Sequence, residues 1–264
     1  MKRDILGKLV LFFCILYVLV PLSVPIIYSF SRYWTHILPK GFTLEWYKKI
    51  FTNPNYQPSL FLSLYVASMA TLLNIVIVVP AAYAVNKLPS KMATAFEYLF
   101  KVTPLIFPPL IVGLGILQAF NRPPLMISGT VAALVVGHAL LGFPFMFRNV
   151  YAVLKTIDEV SLSEAAANLG ANLFQRLIYV IVPNVMPGIL AGALLTFAIS
   201  FGEFEVTSMI VGFMSQTLPL VLFQELRNNF RVASAATAVL VYVSLTSFIV
   251  ITLISNVYQR RKSI

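Results

Sequence analysis

Long apolar stretches separated by short polar connections dominate this chain. A helix needs about 20 apolar residues to cross about 30 Å of hydrocarbon. Stretches of that length lie at roughly 9–31, 59–85, 98–120, 126–147, 184–207 and 234–258. In lipid every backbone N–H and C=O must be paired within its own segment, so such continuous runs read as helices and not as barrel strands. The expected fold is all-α, a polytopic membrane protein with six transmembrane helices in a single domain over 1–264. Pro80, the run from Pro104 to Pro109, Pro144, and Pro183 with Pro187 and Gly188 punctuate these segments. Each proline removes a donor from the helical ladder and bends it. Kinks of this kind either reflect the general tolerance of membrane helices for proline or surround a cavity.

Charge sets the orientation. An even number of spans places both termini on one side. That side then carries Lys2, Arg3, Lys8, Lys87, Lys91, Lys101, Arg148, Lys155, Arg176, Arg260, Arg261 and Lys262, more than half of the 19 Lys and Arg. The other side holds Arg32, Lys40, Lys48, Lys49, Arg122, Arg227 and Arg231. Lys and Arg accumulate on cytoplasmic loops, so the N- and C-termini are expected in the cytoplasm, with the chain multi-pass in the cell (inner) membrane. The net charge of +10 is accounted for by residues flanking spans and meeting anionic head groups, and calls for no nucleic acid. The basic, apolar N-terminus reads as an uncleaved first helix, since no small-residue cleavage site follows it. Cys14 is the single cysteine and gives neither a disulfide framework nor a cysteine metal site.

The segment from about 148 to 183 is the longest on the cytoplasmic side and has its own pattern. Ser161 and Glu164 form a Ser-x-x-Glu capping box, which predicts a helix beginning at Leu162. Leu162, Ala165, Ala166 and Leu169 then share one narrow apolar face, with Glu164 and Asn168 pointing elsewhere. Gly170 follows, where a left-handed C-cap costs glycine nothing. A second helix, capped near Asn172, runs through Phe174, Leu177 and Ile178 until Pro183. Small alanines on an exposed face admit another protein's backbone and suit a docking knob. The alternative is a helix lying against its own bundle or the lipid surface.

Glu164-Ala165-Ala166, three residues, Gly170, nine residues and Val180-x-Val182-Pro183 resemble the EAA loop, E-A-A-x3-G-x9-I-x-L-P, of permease subunits from binding-protein-dependent ABC importers. Valine stands at the Ile and Leu positions and keeps them apolar. The likeness extends through GFTLEWYKKIF, GHALLGFPFMFRNVYAVL and SFGEFEVTSMIVG, and so over most of the chain. It implies a type I importer permease paired with a second permease, the same or a sister chain. Its further partners would be two ATP-binding cassette subunits, an extracytoplasmic solute-binding protein and the lipid bilayer. Glu164, Ala165, Ala166 and Gly170 would form the elbow that enters a cleft on the ATPase, supported by Ser161, Leu162 and Leu169, with Pro183 where the next span begins. The chain contains no G-x-x-x-x-G-K-[ST], so nucleotide phosphates are not cradled here by that route. ATP would be bound by the partner, and the chain itself would be non-catalytic and without a cofactor.

Candidates for the translocation pathway are Glu203, Phe204 and Glu205 at the end of the fifth span and His138 inside the fourth. Carboxylates within a membrane are costly and mark function by default. Two residues apart on a helix, Glu203 and Glu205 point in nearly opposite directions, so at most one faces a pore. The other reading is a carboxylate hydrogen-bonded between helices or to backbone. His138 reads as an interhelical hydrogen-bond partner, and His36 has no neighbouring histidine to make a metal site. The segment from Phe42 to Phe51, with Trp46, Tyr47, Lys48 and Lys49, resembles an interfacial helix.

The EFEVTSMIVG stretch looks like polyamine-type permeases such as those for spermidine and putrescine, while Gly-Glu-Phe is also similar to molybdate- and sulfate-type ones. Leu169 before the glycine, where sugar importers of the family carry aspartate, points to the branch serving polyamines, amino-phosphonates, iron and inorganic oxyanions. A channel would not need the knob, and a secondary transporter would show an internal inverted repeat.

Overall fold

The computed structural model describes residues 2–34, 39–211 and 216–262, without the side chains of 2–6, 103–105 and 259–262; His36 lies outside the described residues. In chain order the elements are α1 (Lys2–Ser29), β1 (Ser31–Tyr33), β2 (Lys40–Phe42), α2 (Glu45–Thr52), α3 (Gln57–Asn86), α4 (Ser90–Ile106), α5 (Pro109–Phe120), α6 (Val131–Leu154) and α7 (Glu159–Asn168). After α7 come α8 (Leu173–Gln175), a π-helical turn (Arg176–Ile181), α9 (Val182–Phe201), α10 (Glu205–Ile210), α11 (Leu218–Asn228) and α12 (Phe230–Lys262). Among the described residues five helices are long and apolar enough to cross a membrane: Gly7–Ser29, Gln57–Asn86, Val131–Leu154, Leu173–Phe201 and Phe230–Tyr258.

The segment expected as one span over 98–120 is two helices. Phe107, between α4 and α5, is extended, with ψ 124°. The cause is Pro108 followed by Pro109: a residue before proline is pushed out of the helical region, and two in succession leave no helical path. The span expected over 184–207 starts at Leu173 and stops at Phe201. The helix expected to follow Asn172 therefore does not end at Pro183. The π-turn widens the ladder just ahead of the proline, with Val182 N–H reaching Leu177 O. Pro183 then sits in the first turn of α9, where its missing donor does little harm.

Residues 1–60 and 218–243 form one compact unit, and 61–217 with 244–264 the other. In the first, the antiparallel strands β1 and β2 pair Ser31 with Phe42 and Tyr33 with Lys40. These strands are the β structure among the described residues, a detail the helical pattern does not predict. The Trp46 indole on α2 donates to Ser31 O at 3.0 Å, and the Arg231 guanidinium lies 5.4 Å from the Tyr33 ring and 5.5 Å from that of Trp46. Burial pushes the Tyr47 phenol up to about 12, and its hydroxyl pairs with Ser29 Oγ at 2.6 Å.

In the second unit the core is the crossing of α6 and α9. Lipid tails are as apolar as leucine, so helices associate in a membrane through close packing and polar stitches, not through water exclusion. Both are present here. A Cβ at Gly192 would lie 2.9 Å from Met146 Cα, so the two backbones approach as only glycine allows. Thr196 Oγ1 donates to Gly142 O at 3.3 Å, and Asn74 Nδ2 of α3 to Ala139 O at 2.9 Å. On the other side of α6, Phe143, Phe147 and Tyr151 stack along the helix, with Phe100 of α4 edge-on to Phe143 and Phe147. These contacts hold α3, α6 and α9 together along their middle turns.

A candidate docking elbow and a buried carboxylate network

The polypeptide leaving α6 turns at Lys155 and re-enters a helix at Glu159. Asp158 is the N-cap, its Oδ1 accepting the Ser161 N–H at 3.3 Å. The hydrogen bonds from Ser161 hold the Asp158 carboxyl below its ordinary value. Two overlapping cap signals exist here, Asp158-x-x-Ser161 and Ser161-x-x-Glu164, and the earlier one prevails. Ser161 therefore lies inside the helix, and α7 begins three residues before the expected Leu162. An ionised carboxylate is a strong acceptor at a helix start and meets the positive end of the macrodipole as well. The extra turn brings Glu159 into the helix, one turn ahead of Ser163.

Gly170 ends the elbow as expected. Its φ is +84°. Gly170 N–H bonds Ala167 O at 2.9 Å and Ala171 N–H bonds Ala166 O at 3.0 Å. This is the Schellman pairing, which satisfies the last carbonyls at the cost of one left-handed residue. Two residues later Asn172 and Gln175 cap each other's backbone, each at 2.9 Å, and start the helix that becomes α9.

The face of α7 turned inward is polar, unlike that of a helix that simply packs on its own core. Glu159 is buried, with Lys87 Nζ 2.7 Å from Oε1 and Asn86 Nδ2 3.5 Å from Oε2. One turn on, the Ser163 hydroxyl lies 3.3 Å from Tyr83 OH and accepts from Arg176 at 3.4 Å. The rest of the helix is open and carries Ser161, Glu164 and Asn168 beside apolar residues: Leu162 is exposed, Leu169 is 90% exposed, and beyond the corner Leu173 and Phe174 are 64% and 70% exposed. Glu164 and Ala165 are exposed and Ala166 is half-buried. Contiguous exposed apolar surface rimmed by polar groups marks an interaction site. Pro183 lies away from this surface, where its carbonyl accepts from Tyr258 OH at 2.6 Å.

Of the pathway candidates, the structure brings together Glu203 and His138. Glu203 follows the end of α9 and caps α10: Oε1 accepts Val206 N–H at 2.6 Å, and Oε2 accepts both the N–H and the hydroxyl of Thr207 at 2.9 Å. His138 Nε2 lies 3.3 Å from the same Oε2 and 2.9 Å from Thr207 Oγ1, while Nδ1 meets Ser200 Oγ at 2.8 Å. Both residues are buried, and every partner named is internal to this chain. His138 is thus the interhelical hydrogen-bond partner its sequence context suggests. Glu205 is exposed on the first turn of α10 and takes no part in the network, and Phe204 is half-buried. One carboxylate is buried and the other exposed, but not by helical spacing as expected, because Glu203 lies in the break between α9 and α10 and only Glu205 is helical. Among the described residues there is no group of three His, Cys, Asp or Glu able to hold a metal.

Sequence reading missed Glu159, Ser163, Lys87, Tyr83 and Arg176. The available signal was the spacing of Glu159 and Ser163, one helical turn apart, once Asp158 is taken as the cap.

Residues 74–263 match the family described as binding-protein-dependent transport system inner membrane component. The permease protein PhnV of Salmonella typhimurium, named for 2-aminoethylphosphonate transport, is 32% identical over 232 residues, 88% of this chain and 86% of its own. The spermidine/putrescine transport system permease protein PotB of Haemophilus influenzae is 28% identical, covering 75% of this chain and 74% of its own. The molybdenum transport system permease protein ModB of Mycobacterium tuberculosis is 26% identical, over 74% and 78%. Among solved structures, the bacterial alginate ABC transporter in complex with an alginate-bound periplasmic protein contains a chain of the same fold, with TM-score 0.71 at 19% identity, covering 98% of this chain and 96% of that one.

Proposed function

Because the chain belongs to the family of binding-protein-dependent transport system inner membrane components, we propose that it is the permease subunit of an ATP-driven importer, coupled to a separate ATPase through the elbow around Gly170. The observation that carries the reading is an exposed apolar surface on the elbow above a buried polar contact. Glu159 is turned into its own chain, while Leu162 and Leu169, with Leu173 and Phe174, are turned out to where a partner can cover them. In this reading a cleft on each of two ATP-binding subunits receives one elbow from each of two permeases. The ATPases bind the nucleotide, this chain contributes no catalytic group, and an extracytoplasmic solute-binding protein delivers the cargo across the inner membrane.

The cargo we propose is a small amine-bearing phosphonate of the 2-aminoethylphosphonate kind. Relatives named for phosphonate, polyamine and molybdenum transport all align over most of the chain, and the phosphonate relative does so at 32% identity. A polyamine is the second reading, favoured by Glu205, an exposed carboxylate able to attract a cation. Glu203 does not strengthen it, because both of its oxygens already accept hydrogen bonds from α10.

Two measurements test the reading. Co-expressed with a candidate ATP-binding subunit, the chain should co-purify with that subunit, and Leu169→Arg should abolish the association while leaving the chain in the membrane. Undiminished association of Leu169→Arg refutes the elbow's role. Uptake of labelled 2-aminoethylphosphonate and spermidine by cells with and without the gene then separates the two cargoes.

A further inference from the structure

Beneath the exposed surface of the elbow lies a set of contacts that docking does not require. Glu159 meets Lys87 and Asn86, and Ser163 meets Tyr83. On α7 the two contributors are four residues apart, and Tyr83 on α3 and Lys87, in the turn one residue past its end, are four residues apart as well. Neighbours at that spacing lie on one helix face. As the residue number rises along α7 it falls along α3, so the two helices run antiparallel and are joined by two rungs a turn apart. A single contact permits rolling about itself, whereas two rungs oppose both rolling and sliding. Arg176, beyond the Gly170 corner, reaches back to Ser163 and ties the following helix to the same rung. The ladder is anchored at its far side, since Tyr83 belongs to the buried cluster with Val150, Leu154 and Ile181.

Holding a helix to its own chain needs only apolar contact. A buried ion pair is a poor source of stability, because desolvation offsets most of the attraction, and its best-attested use is to specify one register. Aliphatic side chains can slide past one another, but a carboxylate that leaves its ammonium is left without a partner at a cost.

We infer that Glu159, Lys87, Ser163, Tyr83 and Arg176 form a polar latch that makes the elbow and the Asn86 end of α3 one rigid body, so that a displacement of the elbow is delivered to α3. The inference rests on the function proposed above for the origin of that displacement, and on geometry alone for the latch. Glu159 and Lys87 are positioning residues.

The test uses the full chain, with its ATPase, in lipid nanodiscs. Spin labels are placed at Ala167→Cys on the elbow and Val76→Cys on α3, in a Cys14→Ser background. The expected result is a narrow distance distribution, unchanged between nucleotide-free and vanadate-trapped states. Glu159→Lys or Lys87→Glu alone should broaden it at least twofold. The double exchange Glu159→Lys with Lys87→Glu should restore the narrow width. A single reversal that leaves the distribution narrow overturns the latch, as does a double exchange that stays broad. Should no ATPase co-purify with the unaltered chain, the proposed function fails, while the width measured on the chain alone still decides the latch.

Discussion

Glu159 and Glu203 are both buried carboxylates, and their surroundings could hardly differ more. Glu203 is met by two backbone N–H groups, a threonine hydroxyl and an imidazole, all close to a break between two helices. Glu159 is met by the ammonium of Lys87, whose side chain is half-exposed, and by a long contact from Asn86. Both positions obey the rule that a buried charge must be paired. The difference lies in who supplies the pairing. At Glu203 the backbone itself does, so the carboxylate is part of how the chain turns from α9 into α10. At Glu159 a flexible side chain from another helix does, so the carboxylate is a connection between elements that could be made or broken.

The largest expected effect is at Glu203. Glu203→Ala leaves the buried donors of Val206 and Thr207 without their acceptor, a loss of about 1–3 kcal/mol for each donor left unpaired. It should appear as a marked drop in thermal unfolding temperature in detergent. Retention of wild-type stability would mean that the cap is dispensable and the contrast empty.

Next comes Gly170→Val. A β-branched residue at φ +84° is strained by about 1–2 kcal/mol or more, and the strain is local to the corner. Membrane insertion should persist while ATPase co-purification is lost.

Smaller still, Glu159→Gln should cost about 1 kcal/mol, since the half-exposed Lys87 can turn to water. Raising salt to about 1 M, where the Debye length is about 3 Å, should reproduce part of this loss in the parent chain and leave the Glu203 network untouched. Equal salt sensitivity at the two sites would erase the distinction between them.

The smallest effect belongs to Asp158. Its folded-state pKa is depressed by Ser161, so the cap is fully formed above the ordinary carboxylate range and is lost as pH falls through the lowered value. Hydrogen exchange of the first amides of α7 should therefore quicken, relative to the intrinsic rate, below pH ~4. Asp158→Asn should flatten that dependence.

Much of the elbow was legible in the sequence because its boundaries are set locally. Gly170 at the corner and Asn172 at the next cap are decisions made by a residue and its near neighbours, and both stand where the pattern puts them. The start of α7 was less legible, because Asp158 and Ser161 compete for one helix and only the folded chain reveals which cap prevails. The run from Pro104 to Pro109 warned of a break without saying that α4 and α5 would be separate helices. Pro183 gave the opposite error: a proline that reads as a terminus is passed by a widened π-turn.

Local chemistry thus determined, from the sequence alone, the helical membrane architecture and the elbow with its glycine corner, since each depends on composition or on spacing within a few residues. Which side of the elbow faces its own chain was settled only by tertiary structure. The polar latch joins residues 72 positions apart at Lys87 and Glu159 and 80 apart at Tyr83 and Ser163, and a one-dimensional pattern carries no record of which distant side chain will be there to pair a buried charge.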